Sequence, residues 1–88
     1  MKTKYNLEDT VELMKSADYK DRFVAEYRQL VVRLAKLETM LFRWKNGMLD
    51  FTPDCTYMLL KSQYDAMETY AKCMRERAVV EEIDLNQQ

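Results

Sequence analysis

Apolar side chains recur through the first half of the chain at Phe23, Tyr27, Leu30, Leu34, Leu37, Leu41 and Trp44, in steps that alternate between four and three. Such steps keep one stripe of a helix facing the same way, so the spacing predicts a helix over about 19–45 with a continuous heptad seam. Asp18 can cap its start, and Asn46-Gly47 can end it, with Gly47 suited to the left-handed position after a helix. A second stripe, Val24, Val31, Ala35 and Phe42, lies beside the seam and gives this helix more apolar width than one neighbouring helix can cover. The same alternation returns at Leu60, Tyr64, Met67, Ala71, Met74 and Ala78 and predicts a second long helix over about 53–83. Thr52-Pro53-Asp54 reads as its start: a cap, a proline in the first helical position, then an acid.

Between these helices, residues 46–53 form a turn, with Leu49 and Phe51 expected to tuck onto the hairpin's end. A shorter pattern precedes them. Asn6 is a cap, Glu8, Asp9 and Glu12 favour a first turn, and Leu7, Val11 and Met14 share a face. That helix, about 7–15, is too short to stand alone. Asp84 to Gln88 carry no pattern and are expected to fray.

The expected fold is therefore all-α. A single domain over 1–88 consists of a short N-terminal helix followed by a long antiparallel two-helix hairpin. Helices of about 27 and 30 residues would be roughly 40–45 Å long. Composition agrees: one glycine and one proline in 88 residues leave too few turn residues for an all-β fold. Two helices make a poor core by themselves, and leaving Phe23, Phe42 and Trp44 in water forfeits about 1.5–3 kcal/mol each. Together with seven methionines, which suit adaptable packing surfaces, this predicts a homo-oligomer of hairpins.

The chain contains no histidine, which removes the commonest general base and metal ligand, and with it any Ser/His/Asp triad. One glycine rules out a glycine-rich phosphate loop. Cys55 and Cys73 do not form a CxxC pair and read as reduced thiols. Cys55, near a helix start, could have a lowered thiol pKa, but the plainer reading is an ordinary cysteine. No enzyme, metal site or cofactor is expected. No apolar run reaches membrane-spanning length and no signal peptide is visible, which points to a soluble cytoplasmic protein with no membrane partner. Net charge is −1, which argues against DNA as a partner. The sign is uneven, however. Residues 1–45 hold ten Lys/Arg against seven Asp/Glu, and residues 46–88 hold four against eight.

The densest chemistry lies at Asp18-Tyr19-Lys20-Asp21-Arg22-Phe23-Val24-Ala25-Glu26-Tyr27-Arg28. Tyr19, Phe23 and Tyr27 share one helix face, with Lys20, Arg22 and Arg28 around them. Rings stack on nucleobases, cations pair with phosphate, and a helix N-terminus offers backbone N–H groups to anions. The plainer reading assigns Phe23 and Tyr27 to the seam and the cations to a solvated surface.

Residues 14–85 resemble a family of short helical-hairpin proteins of bacteriophages and prophages, related to a small crAss-like phage protein. The resemblance is carried by Asp18-Tyr19-Lys20-Asp21-Arg22-Phe23, Ala25-Glu26-Tyr27-Arg28-Gln29-Leu30, Arg33-Leu34, Lys36-Leu37-Glu38 and Leu49-Asp50-Phe51-Thr52-Pro53. It continues through Gln63, Ala66-Met67, Tyr70, Arg77-Ala78 and Glu81. The chain also looks like the hairpin of phage anti-defence sponges, which bind the cyclic nucleotides of CBASS systems or the cyclic ADP-ribose signals of Thoeris systems. The resemblance implies sequestration without cleavage, in the cytoplasm of the bacterial host. It also implies homo-oligomers, often hexamers, with ligand pockets between protomers. In the sponges a Tyr-basic pair stacks on the base and a basic residue of the first long helix meets the phosphates. Tyr19-Lys20 matches the pair and Arg28 the helix position, at a shorter spacing than in the best-known sponges. The expected ligand-binding set is Tyr19, Lys20, Arg22, Phe23 and Arg28. The alternative is a phage structural or adaptor protein acting only through helix–helix contacts.

Overall fold

The computed structural model describes residues 5–86. A 3₁₀ turn, Leu7–Thr10, runs into α1 (Val11–Met14), and two long helices follow, α2 (Tyr19–Lys45) and α3 (Tyr57–Glu81). There is no strand among the described residues. The principal extents are 43 × 24 × 19 Å, the length of a hairpin of two helices of this size.

The bounds of α2 agree with the sequence pattern. The Asp18 carboxylate accepts from the Lys20 N–H at 2.9 Å, closing the first turn. At the other end Gly47 takes φ +68°, and the Met48 N–H reaches back to the Arg43 carbonyl at 2.8 Å.

α3 starts four residues later than Thr52-Pro53-Asp54 suggested. Thr56 is the cap, extended, with its hydroxyl oxygen accepting from the Leu59 N–H at 3.1 Å. Trp44 meets Tyr57 edge to face at 5.5 Å, so the first residue of α3 sits beside the last turn of α2. A start at Pro53 would carry α3 a further turn, about 6 Å, past the end of its neighbour. α3 ends at Glu81, where Glu82 turns left-handed (φ 57°) and the Ile83 N–H bonds the Ala78 carbonyl at 2.8 Å. The helix thus stops two residues short of the expected Ile83, which folds back onto the core, and Leu85 packs there too rather than fraying. Gln87 and Gln88 lie outside the described residues.

The N-terminal stripe also differs. Val11 and Met14 are exposed, whereas Thr10 is fully buried and Leu13 packs on the core. The cause is the 3₁₀ geometry of Leu7–Thr10. At three residues per turn, Leu7, Thr10 and Leu13 line up instead of Leu7, Val11 and Met14.

The buried core lies toward one end of the hairpin: Phe23, Val24 and Leu30 of α2, Ala71, Met74 and Ala78 of α3, and Ile83. Val24, from the stripe expected to need a second copy, is covered within the protomer by this cluster, which includes Leu13. Val31 and Ala35 are half-buried, and Phe42 remains 61% exposed. Toward the loop Leu41 is buried, but Leu37, Trp44, Leu60 and Tyr64 are only half-buried, and Phe51 is exposed rather than tucked. Three elements thus close one end of the hairpin, and two leave the other end open.

Three tyrosine–glutamate bridges run along the hairpin. Tyr19 of α2 donates to Glu81 at 2.8 Å, Tyr70 of α3 donates to Glu26, and Tyr64 of α3 donates to Glu38 at 2.6 Å. Tyr64 also lies 3.0 Å from Glu68, so its single proton serves one carboxylate at a time. Hydrogen bonding to Glu38, then partial burial, pushes its phenol pKa far up.

Candidate functional site

Tyr19 is the first residue of α2, held at the closed end by the Asp18 cap and by the turn before it. Ser16 organises that turn. Its hydroxyl donates to Asp21 at 2.7 Å and accepts from the Asp18 N–H at 3.0 Å. The last turns of α3 arrive opposite, bringing Arg77, Glu81 and the Glu82 carbonyl.

Tyr19, Arg77 and Glu81 close a three-membered clasp between the helices. The Tyr19 hydroxyl donates to Glu81 Oε1, Arg77 Nη2 donates to the Tyr19 oxygen, and Arg77 Nε donates to Glu81 Oε2 at 2.9 Å. Below it, the Arg77 guanidinium lies 4.8 Å from the centre of the Phe23 ring, and Tyr19 meets Phe23 edge-on at 6.2 Å. Phe23 is buried at 3% exposure, while Tyr19 is 46% exposed. The result is an open aromatic ring set on a packed floor.

The electrostatics follow from these contacts. Hydrogen bonds from Tyr19 and then Arg77 hold the Glu81 carboxyl below the usual glutamate range. The bond to Glu81 raises the Tyr19 phenol and also raises Arg77. At neutral pH the clasp is therefore a neutral phenol between a carboxylate and a guanidinium. It holds two helices together.

Of the residues expected from sequence, Tyr19, Lys20 and Phe23 come together here. Lys20 is exposed and its Nζ donates to the Glu82 carbonyl at 3.4 Å, near the negative end of α3. Arg22 is exposed one turn on, its guanidinium donating to the Ser16 carbonyl at 2.7 Å. Arg28 is not in the cluster. Nine residues past Tyr19 places it half a turn round the helix. It is buried there at 9% exposure, its guanidinium 4.9 Å from the centre of the Tyr5 ring. The neighbouring Gln29 donates to the buried Thr10 hydroxyl at 2.9 Å. Arg28 thus belongs, within the protomer, to the contact with the N-terminal segment.

Nothing in the sequence pattern marks Arg77 and Glu81 as site residues. Their i, i+4 spacing signals a helix-surface ion pair and nothing more. Their meeting with Tyr19, about sixty residues away in sequence, exists only once the hairpin closes. Both free cysteines are exposed, and Cys55 falls before the Thr56 cap rather than inside α3. No group of three or more His, Cys, Asp or Glu among the described residues could hold a metal ion. No helix among them is long and apolar enough to cross a membrane.

The family model described as Sequestin matches residues 17–80, a span that takes in all of α2, the loop and nearly all of α3. The family's name points to sequestering, a non-catalytic role. Nothing among curated proteins or solved structures matches the chain.

Proposed function

This chain belongs to the Sequestin family, and we propose that it is a phage anti-defence protein that binds cyclic nucleotide immune second messengers and holds them without degrading them. It acts in the cytoplasm of the bacterial host, on a ligand of the cyclic dinucleotide or cyclic ADP-ribose type. The observation that carries this reading is the exposed Tyr19 ring, set on the Phe23–Arg77 stack with Lys20 and Arg22 beside it. A ring held by its own hydroxyl keeps its face for a base, and base–aromatic stacking tolerates any base. Lys20 and Arg22 supply charge for phosphate, while Phe23 supports the ring from below. Arg28, buried against Tyr5 on the other side of α2, supports the N-terminal segment and is not part of this ring-and-cation cluster.

The protein works as a homo-oligomer, as the sponges it resembles do, often as hexamers. In support, Phe42 of α2 and Met58, Leu59, Val79 and Val80 of α3 are exposed, the two valines at 80% and 83%. The same apolar side chains favour a second reading, an adaptor that binds only proteins.

Thermal unfolding with a panel of cyclic dinucleotides and cyclic ADP-ribose isomers separates the two. A ligand at a hundred times its dissociation constant adds about 2.7 kcal/mol of stability. A raised melting temperature, with the ligand recovered unchanged after denaturation, is the expected result. No shift across the panel leaves the adaptor reading, and a chemically altered ligand overturns sequestration itself.

A further inference from the structure

The open end of the hairpin carries a groove of about 160 Å³, lined by Glu38, Leu41, Phe42 and Lys45 of α2 and by Tyr57, Lys61 and Tyr64 of α3. Drug-sized ligand pockets run to roughly 300–1,000 Å³, so this one suits a single ring system rather than a whole cyclic dinucleotide. Its lining divides by chemistry. Phe42 and Tyr57 provide ring surfaces, and Trp44 backs Tyr57 edge-on. Tyr64 and Lys61 are already committed, Tyr64 to Glu38 and Lys61 to Asp65 at 2.6 Å.

Two groups are left to meet a ligand. Glu38 gives one oxygen, Oε2, to Tyr64, which leaves Oε1 to accept from an N–H donor. Lys45 is exposed at the mouth and has no hydrogen-bond or ion-pair partner among the described residues. Ring faces, a carboxylate acceptor and a free ammonium describe a planar heterocycle that bears an N–H edge and an anionic substituent. We propose that this groove is a second ligand subsite, which takes one amino-bearing nucleobase between Phe42 and Tyr57 with its phosphate on Lys45. This rests on the nucleotide reading above. It adds a contact at the opposite end of the hairpin from Tyr19.

Trp44 is the only tryptophan in the chain and touches the groove through Tyr57, so its emission reports the groove and not the Tyr19 end. The test titrates the full chain with adenosine 5′-monophosphate and with adenosine, following Trp44 emission. The nucleotide should change the emission saturably. Lys45→Ala, at an exposed position, should weaken the monophosphate about tenfold, one charge-assisted contact, and leave adenosine unaffected. Tyr57→Ala should weaken both. An equal loss for both probes in Lys45→Ala removes the phosphate assignment and overturns the proposal. Emission that follows protein dilution but not nucleotide gives the groove to self-association and equally overturns it. If the melting temperature responds to a cyclic nucleotide while Trp44 stays silent, the groove inference fails and the sequestration reading stands. If neither responds to any nucleotide, both fail.

Discussion

Met74→Ala and Leu37→Ala remove similar amounts of hydrocarbon from seams that look equivalent in sequence, and the fold makes them unequal. Met74 is 1% exposed, inside the cluster formed by Phe23, Leu30, Ala71 and Ala78. Its truncation loses both the transfer free energy and the cavity term, about 2–5 kcal/mol. Leu37 is half-buried in the open part of the hairpin, so only part of its surface leaves water and little closed cavity forms. The expected cost in the isolated protomer is about 1 kcal/mol. Folded domains are commonly stable by about 5–15 kcal/mol, so the first substitution threatens the fold and the second does not. Urea denaturation followed by circular dichroism measures both, at protein concentrations low enough to keep the chain monomeric. Equal losses under those conditions would refute the placement of the core at the closed end. Equality that emerges only as concentration rises would instead show that a second copy closes the open end.

The other predictions address the clasp, the start of α3 and the ligand set. Glu81 is lowered, so its stabilising share is complete above the ordinary glutamate pKa and is lost as pH falls through its lowered value. Tyr19 and Arg77 are raised, so their share is complete below their ordinary values and lost only in strong alkali. The melting temperature should therefore owe nothing to the clasp's titration between about pH 6 and 9. Glu81→Gln should flatten the fall on the acid side, and an unchanged acid limb would remove the clasp. Thr56→Ala should cost about 1 kcal/mol in thermal or urea melts and Thr52→Ala close to nothing, and the reverse order would move the start of α3 back to Pro53. In calorimetry with a bound cyclic nucleotide, Tyr19→Ala should weaken binding about tenfold or more while leaving the oligomer intact. Arg28→Ala should lower the melting temperature by releasing the Tyr5 contact, and wild-type affinity in both variants would dismiss the set.

Much of the fold was legible because it rests on local rules. Seven apolar residues in heptad steps, an aspartate cap and a glycine after the last turn placed α2 at its observed bounds. The sequence leaves the start of α3 ambiguous because Thr52-Pro53 and Thr56 are both sound caps, and the choice between them depends on where α2 stops. The N-terminal face departs from the apolar pattern because a 3₁₀ turn changes the period from 3.6 to three, which no run of apolar residues announces. The site was legible by halves. Tyr19 and Lys20 stood out as a ring beside a charge, yet the groups that fix Tyr19 come from the last turns of α3. Arg28 looked like a surface cation because nothing local says that the N-terminal segment returns to cover that side of α2.

A protein that holds a signal without destroying it must outcompete the signal's receptor at equilibrium, site for site. That demands a low dissociation constant, and a low dissociation constant for a polar ligand demands extensive contact. A lone hairpin is poorly built for this. Tyr19 can cover one face of one base, and the loop-end groove is the size of one ring. Enclosing both faces of a base and neutralising its phosphates needs surfaces from more than one protomer. The side chains that could bring protomers together are present on the same molecule: Met58 and Leu59, one and two residues past Tyr57 of the groove, and Val79 and Val80, close to the clasp in sequence. In this reading exposed apolar surface and ligand contacts lie near one another because assembly and capture are a single requirement. Charge substitutions at Val79 or Val80, which leave Tyr19, Phe42, Tyr57 and Lys45 untouched, should then reduce ligand affinity in step with the loss of oligomer.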